Sequence, residues 1–232
     1  MSDDISMTAE PFDISSCQAE GLYLYFGQHR IALTKEYIER TAQDYWQDHT
    51  KLPEQVKTAT EFQRCDSCPL NETGGICDSI RPIFPLIEYL DEYKSFEKVT
   101  AVYSDGRGIQ RVAHTTLQQA MRFVSLMSLI QFCQTGKTYA KFFAGIMPLA
   151  SAEEIAARLY LNAYYICGGN RSKATVLLGE MKKTLRDAVK NQVQRLNLIC
   201  KNDVLVNAFV NTHIIVEIAS ADFHKTLDKM LQ

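Results

Sequence analysis

Four of the seven cysteines in this chain follow a pattern that suits a single metal site. Cys65 and Cys68 form a C-x2-C pair, a spacing that lets two thiolates bind one ion or cluster. Cys77 follows a turn-rich stretch long enough to fold a third thiolate back towards this pair, and Cys133 closes a later helix-like run. The sequence therefore predicts that Cys65, Cys68, Cys77 and Cys133 bind a metal cofactor.

The alternative for these thiols is burial as small apolar side chains, a common fate of free cysteine. Three of them stand within 13 residues, and the stretch that separates Cys68 from Cys77 is polar and rich in glycine. Such a stretch offers few apolar neighbours to a buried thiol. Cys167 and Cys200 fit the apolar alternative better.

The spacing favours an iron–sulfur cluster over zinc. Structural zinc commonly uses two C-x2-C pairs, whereas this chain has one pair and two single cysteines. Cys68 also precedes Pro69, and a proline after a ligand cysteine is typical of ferredoxin ligand runs. We take an iron–sulfur cluster as the first choice and Zn²⁺ as the alternative. A cluster could sense oxidants or carry an electron, while four-thiolate zinc would be structural.

A second function class is thiol–disulfide exchange at Cys65 and Cys68. It requires a helix N-terminus or a similar environment that lowers the pKa of Cys65. It would leave Cys77 and Cys133 dispensable. The chain lacks the apolar strand before the pair that a thioredoxin-like site would have.

A third class is nucleic-acid binding through residues 171–201, which hold eight Lys and Arg residues against two acidic ones although the whole chain has a net charge of -2. Lys182, Arg186 and Lys190 are spaced by four and form one helical stripe. Stripes of this kind are usually the solvated face of a helix, and no aromatic residues for base stacking are interleaved. We expect another protein as the partner, with nucleic acid as the alternative.

Composition describes an ordinary globular chain of 232 residues, 46% hydrophobic and 22% charged. The N-terminus is acidic where a secretory signal is basic, and no apolar run reaches the ~18 residues of a membrane span. We expect a cytoplasmic protein without a membrane span.

The sequence Gly136-Lys137-Thr138 resembles the end of a P-loop, but Gln131 stands where its first glycine is required. A regulatory, sensory or adaptor role is therefore expected rather than an enzymatic one.

Two hairpins are predicted in the first half of the chain. Aromatic and β-branched residues flank Gly27, and a similar run surrounds the turn at Asp105-Gly106. They could form one small antiparallel sheet. A helix over 35–45, the cysteine loop, and a helix over 78–93 with an irregular start lie between them.

The second half is predicted to be helical. A helix beginning near residue 117 ends at Cys133, and a capping box of Ser151 and Glu154 begins the next helix. Two more helices follow. The fold expected is α+β, in which a small antiparallel sheet of two hairpins with a cysteine metal-site loop is followed by a helical bundle. The predicted divisions are a flexible acidic leader (1–20), an α+β module with the cysteine cluster (21–135), and a helical bundle packed on it (150–232).

The strings EFQRCDSCPL and FFAGIMPLASAEEIAARLYLNAYYI, together with Cys77 and a helix ending at Cys133, resemble an uncharacterised family of bacterial proteins that share a CxxCPL cysteine cluster. The resemblance covers most of the chain. It implies that Cys133 belongs with the other three cysteines, and it implies no activity. In the family pattern the third and fourth cysteines precede proline, whereas Asp78 and Gln134 follow them here.

Overall fold

The two predicted hairpins are present and form one antiparallel sheet. Strand β2 (Gly21–Phe26) pairs with β3 (His29–Thr34), and β4 (Lys98–Ser104) pairs with β5 (Gln110–Thr116). Antiparallel pairing of β2 with β4 joins the hairpins, and the two-residue strand β1 (Thr8–Ala9) extends the sheet beyond β3. The strand order is β1-β3-β2-β4-β5.

The structure, a computed structural model, describes residues 8–9, 12–26, 29–46, 52–201 and 203–221. Parts of the predicted leader and the end of the predicted bundle lie outside these ranges. Within the leader, residues 14–16 form a 3₁₀ turn and Cys17 is fully buried beside Tyr23 and Tyr25. None of the helices within the described ranges has both the length and the apolar character that a membrane crossing requires.

Helices make up most of the remaining chain. Their bounds are α1 (Lys35–Trp46), α2 (Glu54–Glu61), α3 (Leu70–Thr73), α4 (Ile87–Leu90), α5 (Leu117–Met127), α6 (Gln134–Lys137), α7 (Ala152–Ile166), α8 (Arg171–Ile199) and α9 (Val204–Ala221). The predicted capping box is confirmed, because Ser151 accepts the Glu154 backbone N–H and Glu154 accepts the Ser151 backbone N–H.

The helix predicted over 78–93 with an irregular start is irregular for most of its length. This segment folds as two 3₁₀ turns, Asp78–Ile80 and Phe84–Leu86, followed by the single turn of α4. Pro82 and Pro85 withhold the backbone N–H groups that a continuous α-helix would need, so only separate turns form.

The apolar core runs from the sheet into the helices. Leu24 and Val99 on the strands, Met121 on α5 and Phe209 on α9 belong to one cluster of buried side chains. Helix α9 packs against α5, α7 and α8. The α+β fold class is as predicted, whereas the division of the chain at 135 and 150 stays a prediction.

Candidate metal centre

The four predicted ligands are all buried. Cys65, Cys68, Cys77 and Cys133 are 3 to 7% exposed, although three of them lie in a loop. A polar loop would ordinarily leave such side chains in solvent. Here Asp187 and Arg195 of α8 contact the loop, while Cys77 and Cys133 adjoin the turn over 78–80 and the end of the α5 segment, which contact each other.

A tight turn places the first pair. The Cys68 backbone N–H donates to the Cys65 carbonyl at 2.9 Å, which brings the two residues to opposite ends of one turn. Asn71 on α3 donates from Nδ2 to the same carbonyl at 2.9 Å. Arg64 donates to the carbonyls of Leu70 and Gly75, which ties both ends of the following stretch together. The loop therefore has a defined fold of its own.

Helix α8 supplies a polar stripe that holds this loop. Asp187, Asn191 and Arg195 are spaced by four and share one side of the helix. Asp187 Oδ2 accepts the Asp66 backbone N–H at 3.2 Å, and the Asn191 side chain helps to lower the pKa of Cys65. The cysteine loop is thus docked on α8 by polar contacts spread over two helical turns.

Arg195 is the most unusual member of the stripe, because its side chain is only 1% exposed. Its Nη1 donates to Cys77 Sγ at 2.9 Å, while Nε and Nη2 donate to the carbonyls of Phe62 and Gln63 at 2.7 and 2.9 Å. Within the described ranges no carboxylate forms an ion pair with it. A buried guanidinium normally requires a nearby negative charge, and the side-chain partner that it has here is sulfur.

Cys133 is placed by an irregular helix end. Residues 128–132 form a π-helical turn after α5, and the Cys133 N–H donates to the Ser128 carbonyl at 2.9 Å. The Cys133 Sγ then accepts the Gly136 N–H at 3.4 Å at the start of α6. An added Cβ at Gly136 would lie 1.8 Å from the Leu129 carbonyl oxygen, so this close turn requires glycine. Single π turns are frequent at functional sites.

The four thiols come from the loop over 65–77 and the end of the α5 segment, and they act on one another electrostatically. The pKa of Cys133 is raised to about 11, mainly by burial; the Gly136 N–H lowers it, and charge on Cys77 and Cys65 contributes to the rise. Burial also raises the pKa of Cys65, the Asn191 hydrogen bond and the Arg195 charge lower it, and charge on Cys68 raises it. Every one of the four is therefore within electrostatic range of at least one other.

The thiols are not grouped at ligand distances. Across the described part of the chain, no three His, Cys, Asp or Glu side chains stand close enough together to hold a metal ion. Cys77 Sγ instead lies 2.9 Å from Ser79 Oγ and bonds Arg195. The same thiols are suited to soft metals by donor type, since four sulfurs select zinc or iron–sulfur clusters. Binding would require the side chains of this neighbourhood to rotate towards one another.

The environment of the C-x2-C pair is unlike that of a reactive dithiol. Attacking thiols have a lowered pKa and partial exposure, whereas Cys65 is buried and its pKa is raised. All seven cysteines lie within the described ranges, and each is a free thiol. The thiol–disulfide alternative is left with little geometric support.

The predicted basic stripe lies on another side of α8 and has an acidic partner. Glu217 on α9 accepts from Lys182 at 2.9 Å and lies 3.7 Å from Arg186 and 3.5 Å from His213. The Lys182 hydrogen bond lowers the pKa of Glu217, and the charges of Lys182, Arg186 and His213 add to this. Part of the stripe thus joins two helices, and Lys190 is exposed.

The role of Arg195 was not predicted from the sequence. In the sequence this residue counts toward the basic patch over 171–201, although it is buried and belongs to the side of α8 that contacts the cysteines. The available pattern was the spacing of Asp187, Asn191 and Arg195, which repeats every four residues beside the apolar stripe of the same helix.

Comparison with known proteins gives a family and no activity. A family model described as a domain of unknown function (DUF6901) matches residues 26–232. No curated protein is significantly similar to the chain, and the same holds for solved structures. The predicted resemblance to an uncharacterised family is confirmed, while the shared cysteine motif stays a prediction.

Proposed function

The chain belongs to the DUF6901 family, a domain of unknown function, and from the chemistry of its buried site we propose that it is a cysteine-ligated metal protein with a regulatory, sensory or adaptor role. Cys65, Cys68, Cys77 and Cys133 would hold the metal centre. An iron–sulfur cluster is the first choice and Zn²⁺ the alternative. A cytoplasmic location belongs to the same proposal, since thiols stay reduced there.

The buried charge of Arg195 is the observation that carries the proposal. With four neutral thiols, this guanidinium forms no ion pair within the described ranges, where Cys77 Sγ is its one side-chain partner. Metal binding deprotonates thiols, and a centre with four thiolates carries net negative charge for either Zn²⁺ or a [4Fe–4S]²⁺ cluster. Such a centre would balance the cation. The Arg195 and Gly136 donors would then stabilise negative sulfur by hydrogen bonding.

The metal centre would supply either a redox and oxidant-sensitive group or a structural cross-link. The chain's own contribution is to hold three segments around it: the loop over 65–77, the π turn before Cys133, and the polar side of α8. If the centre were lost, buried Arg195 would again face neutral thiols, and the loop would hold less firmly to α8. The surface around the loop is therefore the proposed regulated element.

The metal is tested by elemental analysis and a UV–visible spectrum on protein purified without oxygen, with Cys133→Ser as the test variant. Cys200→Ser is the matched control, because burial raises the pKa of Cys200 to about 12 but no cysteine charge acts on it. Iron, sulfide and a visible chromophore that C133S loses and C200S keeps are expected. Stoichiometric zinc with the same dependence would support the alternative metal. Metal-free wild-type protein after reconstitution with either metal would refute the proposal.

The regulatory element is tested by hydrogen exchange on the metal-bound and metal-free protein. Slower exchange over residues 62–77 and around Cys133 is expected in the bound form. Identical exchange in the two forms would leave a metal centre without the proposed switch.

A further inference from the structure

A cavity of about 250 Å³ lies between α5 and the segment that leads into α7, and none of the four cysteines lines it. Its wall is about half polar and half apolar, and its apolar side chains include Phe123, Leu126, Met127, Phe143, Ile146 and Ile155. Ligand pockets in proteins usually enclose ~300–1,000 Å³. A volume just below this range suits a small ligand with an apolar body.

Arg122 on α5 gives this cavity a polar end. Its Nη2 donates to the Ala150 carbonyl, which is the one hydrogen bond that the Arg122 guanidinium makes among the described residues. Burial lowers the pKa of Arg122, and the fully exposed Glu153 is the carboxylate whose charge opposes this. The guanidinium thus keeps free N–H groups beside the apolar side chains of the cavity, with little compensating charge among the described residues. Partly desolvated arginine binds carboxylates through paired hydrogen bonds.

Glu20, an acidic residue that lines the cavity, has a cation of its own. It pairs with Lys35 at 3.4 Å, and its charge raises the pKa of Tyr103, which burial raises more. Glu20 is not among the charges that act on Arg122. Glu20 is therefore not the counter-charge of Arg122.

We propose that this cavity binds a small monocarboxylic acid, with the carboxylate on Arg122 and the apolar body against the side chains of α5 and residues 143–155. Leu149, at the rim, has a φ of +62°, a strained conformation for leucine. Strain of this kind clusters at ligand-binding segments. The proposal does not depend on a metal at the cysteines.

The test is a titration of the full-length protein with octanoate and with benzoate, followed by methyl NMR shifts of the cavity residues. The uncharged analogues octanol and benzyl alcohol serve as ligand controls. We expect saturable shifts with an acid, and binding weakened about 10-fold or more in Arg122→Met, since a hydrogen bond to a charged group is removed. Arg107→Met, on an exposed turn, is the matched control and should bind like wild type.

Two further variants distinguish a loss of binding from a folding defect in R122M. Arg122→Lys should keep part of the affinity, and Met147→Trp, at a partly exposed rim position, should block the cavity while the fold is retained. Equal binding of acids by wild type and R122M would overturn the assignment of Arg122. Equal binding of the alcohols, or no saturable shift with either acid up to its solubility limit, would overturn the carboxylate site.

Discussion

The two sides of α8 carry similar cations but give them different partners. On one side Lys182 and Arg186 share the Glu217 carboxylate of α9 and remain 30% and 64% exposed. On the other side Arg195 is 1% exposed and donates to Cys77 Sγ and two carbonyls. Solvent and a carboxylate balance Lys182 and Arg186. Buried Arg195 has only a sulfur and two carbonyls as hydrogen-bond partners among the described residues, which is why the cysteine side is the candidate site.

The largest difference between the sides should appear when each arginine is replaced by methionine. Arg195→Met leaves the Phe62 and Gln63 carbonyls without their donors, so the free energy of unfolding should fall by about 3 kcal/mol. Arg186→Met removes an exposed ion pair and should cost less than ~1 kcal/mol. Urea unfolding of both variants measures the difference. Equal losses would remove the distinction between the two sides.

Two glycine-to-alanine changes compare the tightly packed turn beside Cys133 with an open surface of α8. Gly136→Ala places a Cβ against the Leu129 carbonyl, so the turn must open at a cost of about 1–3 kcal/mol. Gly179→Ala, on an open surface of α8, should stabilise the protein by about 0.5–1 kcal/mol. Thermal unfolding checks both signs. A stabilised G136A variant would show that α6 does not need its close approach to the Leu129 carbonyl.

The smallest effect is expected on the exposed side, from Glu217→Gln. The pKa of this carboxyl is lowered in the folded protein. The ionised carboxylate therefore stabilises the folded state above a pH of about 4.5, the pKa in the unfolded chain, and this stabilisation is lost as the pH falls through the lower pKa of the folded protein. At neutral pH the variant should lose up to ~1 kcal/mol, and less at high salt. Unfolding measured at neutral pH and below pH 4 checks this. If the variant were still less stable than wild type below pH 4, its loss of stability would come from packing and not from charge.

The sequence predicted the elements more completely than the site. The hairpins, the capping box at Ser151 and the helix leading to Cys133 each follow from short-range patterns of turn residues and apolar spacing. The helix predicted over 78–93 was too long, because Pro82 and Pro85 divide this segment into separate turns. Local patterns therefore located each segment but not every break.

The candidate site depends on contacts that no local pattern contains. The four cysteines could be selected by spacing, yet Arg195 lies 118 residues from Cys77 along the chain and contacts it only after α8 has packed. The local charge of residues 171–201 predicted a solvated position for Arg195, because this residue was counted with the exposed Lys and Arg residues of the basic patch. Burial decides the role of a charge, and burial is a property of the whole fold.

The ligands of the proposed metal centre can be identified by X-ray absorption spectroscopy on protein purified without oxygen and reconstituted with its metal. We expect a first shell of sulfur alone at about 2.3 Å, for iron or for zinc, which Cys133→Ser alters and Cys200→Ser leaves unchanged. A shell dominated by nitrogen or oxygen, or one that C133S does not alter, would contradict a four-cysteine centre beside Arg195.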